Sequence, residues 1–167
     1  MFEGLEFGLR AALIGIGATL AMDLWAAFLK LCFGFPSLDY RLVGRWIGHF
    51  AHGRFAHDSI AKAPPVPGER ILGWSAHYAI GIMFAAILLA LCGLDWARRP
   101  TPGPALAFGL ASLAAPFFVM QPGMGAGIAA SRMPKPNVAR LRSAITHTVF
   151  GIGLYAAALL CAQLIRP

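Results

Sequence analysis

The chain has 167 residues, of which 58% are hydrophobic and only 13% charged, and its formal net charge is +7. So little charge excludes an ordinary soluble domain, and four stretches reach the roughly 20 apolar residues that cross a bilayer. In a soluble protein the positive charge would point to nucleic acid; here the basic residues concentrate in two loops, so no nucleic-acid partner is expected.

The four stretches lie near 8–30, 71–94, 104–122 and 143–165 and show no alternation of period two. That excludes a membrane barrel and predicts an all-α membrane protein, a single transmembrane domain of four helices over 1–167. Lys30, Arg41, Arg45, Arg54, Lys62 and Arg70 flank or fill the first long loop, and Arg132, Lys135, Arg140 and Arg142 the second. Arg10, Arg98, Arg99 and Arg166 face the other way. Ten against four puts the long basic loops in the cytoplasm and both termini outside.

The start, MFEGLEF, has acidic residues where a signal peptide would be basic, so the first span is expected to remain. Along that span Gly8, Ala12, Gly15 and Gly17 allow close helix approach. Asp23 is its anomaly, because an intramembrane carboxylate needs a partner, a cavity or a proton.

After Pro36, Ser37 is the expected N-cap of a helix over about 37–52. Its apolar residues Leu38, Leu42, Val43, Trp46, Ile47 and Phe50 recur at helical spacing. Such a helix should lie in the cytoplasmic interface, with His49, His52 and His57 facing water or headgroups; the alternative is a metal at His49 and His52, whose spacing of three puts them on one helix face. Ala63–Gly68, APPVPG, cannot be helix.

In the second span Gly73, His77, Gly81 and Ala85 recur every fourth residue, a close-packing stripe that turns His77 into the bundle. Pro116 should kink the third span, which ends at Met120, Gln121 and Pro122. Gly123, Gly125 and Gly127 follow as a tight turn, without the lysine of a phosphate-binding loop. The fourth span repeats the stripe as His147, Gly151 and Tyr155. Cys32, Cys92 and Cys161 form no C-x-x-C and read as small packing residues.

The halves correspond. Met22-Asp23 and His77-x-x-x-Gly81-Ile82 in the first match Met120-Gln121 and His147-x-x-x-Gly151-Ile152 in the second. Two hairpins of like orientation could be a parallel repeat, as in some transporters. Asp23, His77, Gln121 and His147 then give one polar residue per helix, at similar depth toward the cytoplasm. Bundles build ligand sites in this way.

The expected function is binding or permeation of a small ligand, proton or metal ion at that intramembrane pocket, with the glycine turn at its mouth. Asp23, His77 and His147 suit a metal ion, and the two histidines a haem. Four spans are few for a transporter, which favours a homodimer. The alternatives are a membrane enzyme acting on a lipid-soluble substrate and a small structural or assembly protein. No nucleophile arrangement, H-E-x-x-H helix or paired-acid motif supports the enzyme.

ATLAMDLW, HYAIGIMFA, FFVMQPGMGAGIAASRMPKPN and HTVFGIGLY occur in this order. Through them the chain resembles, over nearly its whole length, a bacterial family of small multi-span membrane proteins known only as a domain of unknown function. Met-Gln-Pro-x-x-Gly-x-Gly is the most specific segment. The resemblance implies a place in the inner membrane and carries over no activity, cofactor or catalytic residue.

Overall fold

The computed structural model describes residues 3–165, which are helical and hold no strand. Helix α1 is Glu3–Phe33, α2 Tyr40–Gly48, α3 Glu69–Arg98, α4 Pro102–Ala111, α5 Gln121–Gly123 and α6 Pro136–Leu164. Four helical stretches are long and apolar enough to cross a membrane: Glu3–Phe33, Glu69–Arg98, Pro102–Gly123 and Pro136–Leu164. The last begins seven residues before the apolar run, so Arg140 and Arg142 lie on helix rather than in a loop. Pro136 starts it because the first helical position needs no N–H donor.

The third stretch is not one regular helix. Pro116 has no N–H for the Ser112 carbonyl, so the ladder fails one turn before the proline, at Ser112–Leu113. The chain then continues as a π-helix over Pro116–Met120, where the Gln121 N–H reaches the Pro116 carbonyl. In α3, Gly93 leaves helical geometry at φ 78°, which a residue with a Cβ rarely adopts.

The described chain divides into two compact units. The first comprises Met1–Ser37, Tyr78–Ser112 and Ile145–Pro167. Along α1, Leu9, Leu13, Ile16, Leu20, Leu24, Phe28 and Leu31 form an exposed stripe, while Ala11, Ile14, Gly15, Ala18 and Thr19 are buried. Large apolar side chains outside and, Ile14 apart, small ones inside is the arrangement of a multi-pass membrane protein, whose outer face meets lipid and whose helices associate through close packing.

That close packing is between glycines. A Cβ on Gly15 would strike Gly81 and Ile82, and one on Gly81 would strike Thr19. A Cβ on Gly109 would lie 2.6 Å from Cα of Gly151. Each hairpin, α1 with α3 and α4 with α6, therefore closes on a glycine pair, and Gly81 and Gly151 sit at corresponding places in the two stripes. Cys161 is buried here, but Cys32 and Cys92 are exposed, contrary to the packing role expected of them. A sequence run shows that a cysteine is in a span but not which face it takes.

The second unit comprises Leu38–His77 and Leu113–Ala144. Asp39, not Ser37, caps α2: its Oδ1 accepts from the Arg41 N–H at 3.0 Å. Ser37 stands too far ahead of the first helical turn to reach its donors. The Arg41 guanidinium also holds the Asp39 carboxyl below the usual carboxylate range. The next turn, His49–His52, is a 3₁₀ continuation of α2.

Two contacts dock this unit's parts. A Cβ on Gly44 would overlap the Glu69 carbonyl, and one on Gly73 the Tyr40 carbonyl, so α2 crosses the start of α3 backbone to backbone. Arg45 grips Glu69 at both oxygens, 2.8 and 2.9 Å, and gives a third bond to the Ala63 carbonyl at 3.1 Å. Glu69 in turn accepts from the Val66 N–H at 3.1 Å, which pins the proline-rich turn.

Candidate functional site

The four residues expected to share a pocket divide two and two: Asp23 and His147 in the first unit, His77 and Gln121 in the second. Asp23 is half-buried, and its Oδ2 accepts from the Tyr78 hydroxyl at 2.8 Å. A hydroxyl donor is well suited to an ionised carboxylate.

His147 lies at 2.7 Å, through Nδ1, from Ser112 Oγ, which donates to the Gly109 carbonyl at 2.6 Å. The serine proton is thus spent on the carbonyl. His147 must supply the hydrogen at Nδ1, and in the neutral ring the lone pair sits on Nε2.

In the second unit, His77 Nε2 is 2.9 Å from the Tyr40 hydroxyl, with the rings stacked at 4.1 Å. Trp74 packs on Tyr40 at 4.6 Å. Oε1 of Gln121 is buried and accepts no hydrogen bond among the described residues. Such an orphaned acceptor is uncommon and costs about 1–3 kcal/mol.

The glycine turn is bound to the first long loop. The Gly123 carbonyl accepts from the His57 N–H at 3.0 Å, and the Met124 carbonyl from the Ile60 N–H at 3.1 Å. Gly123 carries the Trp46 ring, and Gly125, at φ 95°, lies against the His57 and Asp58 carbonyls. The Gly125 N–H is used within the turn, on Pro122.

Among the described residues no group of three or more His, Cys, Asp or Glu side chains is placed to hold a metal ion.

The sequence profile described as Protein of unknown function (DUF2938) matches residues 12–161. The chain belongs to the DUF2938 family. The DUF2938 match takes in Asp23, His77, Gln121 and His147, together with the glycine turn. No curated protein and no solved structure matches the chain.

Two polar clusters escaped the sequence. Glu6 and Arg10 are buried in the first unit, Arg10 completely. The charge count treats Arg10 as an outer flanking residue. Its guanidinium instead bonds Glu6 at 2.8 Å, the Ala97 carbonyl at 3.1 Å and the Ile165 carbonyl at 2.8 Å. The i,i+4 spacing of Glu6 and Arg10 was the available signal. Second, His49 and His57 are buried against each other rather than facing water or headgroups, with Nδ1 of His49 2.7 Å from Nε2 of His57. His52 is exposed, as expected.

Proposed function

We propose that this protein sits in a bacterial inner membrane, long basic loops in the cytoplasm and termini outside. There it binds or passes a proton or a small polar ligand at Asp23. One observation carries the proposal: a half-buried carboxylate stands within a helix apolar enough to cross a membrane, with the Tyr78 hydroxyl aimed at it. On insertion scales a charged Asp at a span's centre costs about 2.5–3.5 kcal/mol, so such residues usually serve ion pathways, proton relays or ligands. His77 and Gln121 belong to the other unit and are not assigned to this site.

A purely structural network is the second reading. It is favoured at His147, whose Nδ1 bonds Ser112 Oγ, itself bonded to the Gly109 carbonyl, so that α6 is tied to the end of α4.

Proteoliposomes that enclose a pH-sensitive dye separate the two. The functional reading expects Asp23→Asn to assemble normally and to dissipate an imposed pH gradient more slowly than wild type. Equal rates with a lowered unfolding temperature would favour the structural one.

A further inference from the structure

The geometry points to a proton-operated latch: we propose that the His49–His57 pair holds the first long loop against the glycine turn and releases it when the pair becomes doubly protonated. The inference lies within the second unit and does not depend on the role proposed for Asp23.

Four ring nitrogens are engaged. His49 Nε2 lies 3.1 Å from the Pro64 carbonyl, His49 Nδ1 2.7 Å from His57 Nε2, and His57 Nδ1 3.4 Å from the Gly123 carbonyl. Carbonyls only accept, so His49 Nε2 and His57 Nδ1 must carry hydrogens wherever those bonds are made. The short contact between the rings needs one hydrogen. Three hydrogens on two rings satisfy every contact, and the pair then carries a single positive charge.

With two hydrogens the pair is neutral and gives up its longest contact, 3.4 Å to Gly123, while the ring–ring and Pro64 bonds remain. With four hydrogens, two N–H groups and two positive charges meet at 2.7 Å in a buried place. That state cannot keep the contact. Opening therefore belongs to the last proton taken up.

The charged groups that face the pair come from the loop itself: the Arg54 guanidinium opposes a charge on His57, as does a charged His49, and the Asp58 carboxylate favours it. The proline turn and the glycine turn present carbonyls. Burial outweighs the favourable contacts and holds the His57 ring below the usual histidine range. The sign follows. At high pH the closed and open forms are both neutral and differ by no proton. As pH falls through the ordinary histidine range, near 6.5, both forms can take the first proton, but the open form also protonates His57 where the closed form refuses that last proton, and closure weakens by one proton until the lowered closed-state value is passed.

The latch spans the contacts that fix the loop. Besides its ring, His57 gives its backbone N–H to Gly123, and Ile60 gives its own to Met124. Their exchange reports opening directly.

The test is hydrogen–deuterium exchange of the full chain in detergent, read on peptides covering 55–62 and corrected for the intrinsic pH dependence of amide exchange. Protection in wild type should fall by about tenfold per pH unit between the open and closed histidine values. His57→Gln should remove that dependence, and His52→Gln should keep it. Protection that stays level in wild type, or that still falls in His57→Gln, overturns the latch. If His57→Gln does not fold, His49→Gln serves the same comparison, and the wild-type profile can overturn the proposal without either variant.

Discussion

Arg10 and Glu6 bond at 2.8 Å one turn apart on α1, and both are buried. Glu6 also accepts from Arg98 at 2.8 Å, so one carboxylate serves two guanidiniums. Arg10 supplies hydrogens to the Ala97 and Ile165 carbonyls as well, which joins α1 to the ends of α3 and α6. Substituting Arg10→Met would leave both carbonyls without that donor and Glu6 with Arg98. A buried acceptor left without its donor costs about 1–3 kcal/mol. The expected outcome is a clearly lowered unfolding temperature in detergent, whereas Arg99→Met, at an exposed position, should leave it unchanged.

The glycine contacts make a graded prediction. Gly44→Ala and Gly73→Ala each drive a methyl into backbone, at Glu69 and Tyr40. Overpacking of this kind costs about 1–3 kcal/mol. Gly8→Ala meets nothing within 4 Å and lies within α1, so it should be neutral or slightly stabilising. Thermal unfolding of the three variants, set against wild type, checks the order.

These two cases mark how far the residues alone reach. Spans of membrane length and stripes such as Gly73–Gly81 and His147–Gly151 are local patterns, and they gave the helices and their tight faces. The start of α6 was missed because its first two turns are polar, and hydropathy is blind to helix outside lipid. Charge counting treats Arg10 only as a flanking residue, because nothing local reveals the Ala97 and Ile165 carbonyls it meets. Similarly, His49 and His57 are eight residues apart with no common periodicity, and only the turn between them faces one to the other. Asp23, His77, Gln121 and His147 were legible as polar groups within apolar runs, since any such residue stands out. The partners Tyr78 and Ser112 were not, because a hydroxyl in an apolar run attracts no notice, nor was Tyr40, which lies 37 residues from His77 in the first long loop.

Orientation is open to a direct test. The ten-to-four asymmetry predicts cytoplasmic loops, and of the four opposing arginines Arg10 and Arg98 are both bonded to Glu6. A reporter active only in the cytoplasm should be silent when fused after Pro167 and active when inserted at the exposed His52–Gly53 turn. The reverse pattern would put the long loops outside.

Asp23 decides the account. Infrared difference spectra of the protein in liposomes, taken as the external pH is stepped, should contain a carboxyl band that is lost in Asp23→Asn. The variant should be as stable as wild type. If no pH-responsive band disappears in the variant, and the variant unfolds at lower temperature, Asp23 is a structural member of its pair with Tyr78 and the proposed function is wrong.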